Sequence, residues 1–164
     1  MKPWTTRPSE EAFLLNPAFV ALLGWSMCKG YSDADDKGLP FALSFLISPI
    51  VLHKSTRETL PRSIKTSLPA WLEENVRARV GLTNRARALG PFVREGLLFG
   101  VSCSTLSISE GRLLASTKPR GLARHLKSAT DEVRDCHKRA EFLGKWFAGA
   151  GSVATVMALW GVRP

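Results

Sequence analysis

At 164 residues the chain has the length of one compact domain able to bury a sizeable core. Its 45% hydrophobic and 23% charged residues exclude a largely disordered chain, and its net charge of +9 points to an anionic partner: nucleic acid, anionic lipid or an acidic protein. Three widely spaced cysteines (Cys28, Cys103 and Cys136) with no C-x-x-C pair indicate neither a disulfide framework nor a zinc knuckle, and fit a reduced, cytoplasmic compartment.

The first ten residues read as an arm without the charged, apolar and small-residue regions of a signal peptide. Ser9 is placed to cap a helix with Glu10 and Glu11 in its first turn. Asn16 followed by Pro17 predicts a second cap and a main helix over 17–29, closed by the polar loop GYSDADDKG. The stretch Leu39 to Leu52 leaves no polar face, which predicts a core helix, kinked at Pro49. A membrane span needs about 20 consecutive apolar residues. This stretch is shorter and carries Ser44, Ser48 and Pro49, while the tail WFAGAGSVATVMALWGV is broken by glycines, so no membrane is expected.

Ser67 caps the next predicted helix, with Trp71, Leu72 and Val76 inward. Thr83 is placed to cap another, expected in two pieces around Gly90-Pro91, with Phe92, Val93, Leu97, Leu98 and Val101 inward. TLSIS and RLLAS flank Glu110-Gly111 and predict a β-hairpin near 104–116, with Leu106 and Ile108 alternating against serines. A long helix over about 122–148 follows. Its seam of Leu126, Ala129, Val133, Cys136, Ala140, Leu143 and Phe147 keeps heptad spacing and requires another helix, from this chain or a partner, against it. Ser152 is placed to cap a short last helix.

Helices, then a hairpin, then more helices describe a mainly α fold with a small β-hairpin: a single domain over 1–164, with a winged-helix-like core over 9–120 and a C-terminal helical extension over 121–164. The nucleotide-binding G-x-x-x-x-G-K-[ST], the zinc protease H-E-x-x-H and the nucleophile elbow G-x-S-x-G are all missing from the sequence, so no catalytic, metal-binding or cofactor-binding residue is assigned. Cys136 and His137 are neighbours on a helix and point about 100° apart, away from nucleophile–base geometry. His53 with Arg57 and Glu58 is the better catalytic candidate, a base oriented by a carboxylate. Against it stands a capping role for His53 and Lys54 at the end of the preceding helix, with Thr56 capping the next turn, and Arg57 and Glu58 as an ion pair or partner contact.

Basic residues cluster on both sides of the hairpin. Arg77, Arg79, Arg85, Arg87 and Arg94 precede it; Arg112, Lys118, Arg120, Arg124 and Lys127 follow its turn. Of these, Arg77, Arg79, Arg85, Arg87, Arg112, Lys118 and Arg120 are the candidates for direct DNA contact through a recognition helix and a wing.

The phrases RPSEEAFLLNPAFVALLGWSMCKGY, GLPFALSFLISPIVLHKSTRETLP, REGLLFG and LGKWFAGAGSVATVMALWGVRP resemble the middle component of three-component ABC-ATPase systems. A similar small subunit stands in Lamassu-type antiphage systems beside an SMC/Rad50-like ABC ATPase and an effector subunit. The resemblance implies a non-enzymatic adaptor that couples the ATPase, a sensor of foreign DNA, to an effector of nuclease type. It carries no catalytic residue over. The family's NPAF falls on Asn16 to Phe19 and its LHKSTRETLP on Leu52 to Pro61, so Asn16, Phe19, His53, Lys54, Thr56, Arg57 and Glu58 become the candidates for partner docking. The alternatives are a stand-alone winged-helix DNA-binding regulator and a small enzyme using His53 and Glu58.

Overall fold

The computed structural model describes residues 7–162, so most of the expected N-terminal arm lies outside the described residues. Helix α1 spans Ser9–Leu14 and α2 spans Pro17–Ser32. Ser9 is not the cap it was expected to be: Pro8 holds that position without a side-chain bond, and Ser9 is already helical. Asn16 does cap α2, its Oδ1 accepting the Ala18 N–H at 2.8 Å, with Pro17 in the first turn, where a missing N–H costs nothing. The segment Ser9–Ser32 is long and apolar enough to meet the composition test for a membrane span, a point the sequence reading passed over. In the fold, α2 is the hub, buried from Val20 to Cys28 and packed on α6 (Leu82–Ser102) and α8 (Asp131–Ala148).

Residues 39–52 are largely buried as expected, with Phe41, Ala42, Phe45 and Leu52 partly open, but they are not one kinked helix. Strand β1 (Leu39–Pro40) leads into a 3₁₀ helix over Phe41–Leu46 and then α3 (Ile47–Val51). Pro49 falls in the first turn of α3, where its N–H would have no partner in any case, so no kink is needed. Helix α4 (Lys54–Thr59) and α5 (Leu68–Glu74) follow, the latter capped by Ser67 as predicted. Val76, expected inward, is 56% exposed because the chain leaves the helix at Asn75 for a 3₁₀ turn over Val76–Arg79.

Helix α6 is continuous through Gly90-Pro91 rather than split. Pro91 is exposed, so the carbonyl it leaves unpaired faces the solvent side. Its start is Leu82 with Gly81 at the cap position; Thr83 instead donates from Oγ1 to the Gly161 carbonyl at 3.0 Å. Val93 and Leu97 are buried, whereas Leu98 is 67% exposed and Val101 also faces outward.

Strands β2 (Leu106–Ser109) and β3 (Arg112–Ala115) form the predicted hairpin. Glu110 and Gly111 both have positive φ, 50° and 72°, as a two-residue turn matching strand twist requires. Strand β1 adds to the other side of β3, pairing Leu39 with Leu113, to give an antiparallel sheet ordered β1-β3-β2. Leu106 and Leu113 are buried against the helices, and Ile108, expected beside them, is exposed.

The long C-terminal helix is two. Helix α7 (Leu122–Ser128) ends at extended Ala129, and Thr130 caps α8 by accepting the Val133 N–H, with Asp131 and Glu132 in the first turn. The heptad seam therefore starts within α8, where Cys136, Ala140, Leu143 and Phe147 are buried. The helix it packs on is α2 of the same chain. Their axes approach closely enough that a Cβ at Gly30 would strike the Glu141 carbonyl and one at Gly144 the Met27 carbonyl. Helix α9 (Val153–Leu159), capped by Ser152 as predicted, closes the far corner. There Trp71 meets Trp146 and Trp160 at ring-centroid distances of 5.5 and 5.8 Å.

Candidate docking and nucleic-acid interfaces

The polar exit HKSTRE forms α4 and its cap. His53 holds the cap position of α4; its Nδ1 lies 2.7 Å from Thr56 Oγ1 and 3.2 Å from Ser55 Oγ. Burial, and secondarily the nearby Arg85 charge, lower its pKa from the usual histidine value, so the neutral ring is favoured. Glu58 turns away to Lys54 at 3.9 Å on an exposed surface. Among the described residues no hydrogen bond or ion pair joins His53 to Glu58, so the base–carboxylate pairing of the enzyme reading is not formed.

Arg57 lies deepest. Its side chain is 3% exposed and spans three elements: Nη1 donates to the Val51 carbonyl at 2.7 Å, Nη2 to Glu132 at 2.9 Å and Nε to Asp135 at 2.8 Å. Burial pulls its pKa down, but the hydrogen bonds it donates to Glu132 and Asp135, with the Coulombic effect of Cys136 and Asp135, outweigh that and leave it raised. Thr56 is likewise buried. Within this segment Lys54 and Glu58 are the candidate side chains left open to a partner. The sequence reading named Arg57 but not its partners. The signal was in DEVRD, where Glu132 and Asp135 sit three apart on one helix face.

The seven proposed DNA-contact residues divide by what already holds them. Arg85 donates to the Pro49 and Val80 carbonyls at 3.3 and 2.9 Å, and burial lowers its pKa. Arg112 donates to the Gly38 carbonyl at 2.8 Å and lies 3.8 Å from Asp35, bracing β1 against the hairpin. Arg77, Arg79, Arg87, Lys118 and Arg120 are exposed and, among the described residues, make no ion pair. Four of them open onto different grooves. Arg77 lines one of about 600 Å³ beside Thr59 and Glu74, and Lys118 one of about 510 Å³ beside Trp25 and His137. Arg120 lines one of about 330 Å³ together with Asn16, Phe19 and Phe99. Arg87 shares a groove of about 560 Å³ with Arg94, Phe41 and Phe45.

Burial pushes the Cys28 thiol up to about 12 and the Cys136 thiol up to about 11, which keeps both protonated and unreactive at neutral pH. Among the described residues no three of His, Cys, Asp and Glu gather as a metal site.

A small helical chain with a three-stranded sheet, several solvent-facing grooves and exposed arginines that make no ion pair among the described residues has surfaces suited to contact with other molecules. The chain belongs to the family described as ABC-three component (ABC-3C) system Middle Component 3, whose model matches residues 4–164. It is thus a component of a multi-subunit system with partner subunits. No curated protein and no solved structure matches it.

Proposed function

We propose that the chain is a non-enzymatic adaptor that couples an SMC-like ABC ATPase, a sensor of foreign DNA, to an effector of nuclease type in antiphage defence in the cytoplasm. It restrains the effector and releases it when the ATPase engages DNA. The observation that carries this reading is membership of a three-component family across nearly the whole chain. The resemblance to the Lamassu-type middle subunit supplies the finer roles. The separate engagements of His53 and Glu58 support the non-enzymatic part. Co-expression with the two other components of its system tests the proposal: the chain is expected to co-purify with both, and a monomer that ignores them ends it.

A stand-alone winged-helix DNA-binding regulator is the second reading. Its support is the sheet order β1-β3-β2, with α6 immediately before the hairpin. It predicts sequence-specific footprints by the chain alone, with an affinity that falls steeply with salt. Arg87→Ala with Arg79→Ala tests it without touching Arg85 or Arg112, which the fold already uses.

A further inference from the structure

Along α6, Arg87 and Arg94 flank a groove whose floor is apolar. Phe41 and Phe45 of the 3₁₀ helix form one wall, Ala86 belongs to α6, and Met157 of α9 closes the end. Its volume of about 560 Å³ lies within the range of concave ligand sites. The charged side chains lining it are both arginines. Other arginines of the fold are tied down: Arg7 to Glu95, Arg57 to Glu132 and Asp135, Arg112 to Asp35, Arg139 to Asp135. Among the described residues Arg87 and Arg94 have no carboxylate within ion-pair distance, although Arg94 lies over the Phe45 ring at 5.8 Å.

We propose that this groove docks an acidic amphipathic segment of a partner subunit of the same system, its apolar side chains against Phe41, Phe45 and Met157 and its carboxylates on Arg87 and Arg94. The inference rests on the adaptor reading and names the chemistry of one of its contacts. Charge complementarity selects the occupant. A second copy would bring another +9 chain to an already cationic groove. Nucleic acid is disfavoured by the floor. Duplex phosphates need cations but no apolar lining. Single-stranded bases need open, stackable aromatic faces, and here Arg94 lies over one face of Phe45 while Phe41 meets it in a T-shaped contact at 5.5 Å, which leaves ring edges suited to aliphatic side chains. Arginine beside aromatic and aliphatic side chains is the composition of residues that dominate protein–protein affinity.

The test uses the full chain co-expressed with the other two components. Phe45 is replaced by the photo-crosslinker p-benzoylphenylalanine, and the crosslinked peptide is sequenced by mass spectrometry. In parallel the affinity of the complex is measured for Arg87→Glu/Arg94→Glu and for the milder Arg87→Ala/Arg94→Ala, with circular dichroism confirming that each is folded. The expected result is a crosslink to a partner segment rich in Asp and Glu. The charge reversal should weaken the complex by about thirty-fold or more, with recovery when the crosslinked carboxylates are changed to lysine. A complex that forms with unchanged affinity in both variants overturns this inference and leaves the adaptor reading standing. A crosslink to DNA, to a second copy or to a segment without carboxylates also overturns it alone. Failure of the wild-type chain to join either component overturns both.

Discussion

Truncating Arg57 is the sharpest structural perturbation the fold offers. Arg57→Met keeps much of the aliphatic stem and removes the guanidinium that joins the Val51 carbonyl at the end of α3 to Glu132 and Asp135 on α8. Losing one side of a fully buried ion pair costs about 3–5 kcal/mol. Here the carboxylates are not buried: Glu132 is 65% and Asp135 41% exposed, so both recover hydration when the guanidinium goes. The main loss is at the buried Val51 carbonyl, left with only the weak Cys136 Sγ donor at 3.8 Å, at a cost of about 1–3 kcal/mol, with a further contribution from the weakened α4–α8 tether. The expected destabilisation is about 2–3 kcal/mol in total. Glu132→Gln and Asp135→Asn, exposed partners, should each cost no more than about 1 kcal/mol. Urea unfolding followed by tryptophan fluorescence measures all three. Arg57→Met within about 0.5 kcal/mol of wild type would refute the reasoning. So would a variant of unchanged stability that no longer joins its partner subunits, because that result makes Arg57 a recognition residue rather than an internal clip.

Gly30→Ala or Gly144→Ala should destabilise by about 2 kcal/mol or more, since the α2–α8 crossing leaves no room for a Cβ. Gly90→Ala in α6 meets nothing within 4 Å beyond its chain neighbours, but its Cβ would press on the Pro91 ring in helical backbone, so the gain in helix propensity is offset and the net change should stay within about 1 kcal/mol; the same unfolding assay compares them, and equal effects would contradict the packing. His137 supplies a pH dependence. Ser26 Oγ donates to the Leu22 carbonyl at 2.7 Å, so its 2.6 Å contact with His137 Nδ1 requires the ring to carry the proton at Nδ1. Burial lowers the His137 pKa below 6.5, against the pull of Glu141. The unfolded chain then binds more protons below that value, so the His137 contribution is fully present above about pH 6.5 and is lost as pH falls through the folded pKa. Melting temperature should drop between about pH 7 and pH 5, and His137→Asn should flatten part of that slope; an unchanged slope counts against the assignment.

The caps at Asn16, Ser67 and Ser152 and the hairpin turn at Glu110-Gly111 are legible from local signals, because each rests on bonds within a few residues. What depends on burial geometry was less legible. Thr130-Asp131-Glu132 is a start signal, but the apolar heptad running across it suggested one helix where there are two. Pro91 reads as a break, yet α6 continues, because an exposed proline within a helix anchored along α2 costs less than losing that packing. The same holds for the candidate sites. HKSTRE is conspicuous as a polar run after an apolar one, and nothing local shows that Arg57 turns inward while Lys54 and Glu58 turn outward. Among the basic residues, sequence treats Arg85 and Arg87 alike. Position on α6 separates them: Arg85 is spent on the Pro49 and Val80 carbonyls, and Arg87 faces an open groove. That the chain works with partner subunits follows from longer phrases and family membership rather than from any single residue.

The central claim is coupling, and reconstitution tests it most directly. The ATPase component, the effector component and double-stranded DNA with ATP are combined with and without this chain, and DNA degradation is followed. The account predicts that the effector is held silent in the three-component complex until DNA is added, and that without the chain its activity no longer responds to the ATPase and DNA. An effector that responds equally with and without the chain would contradict it.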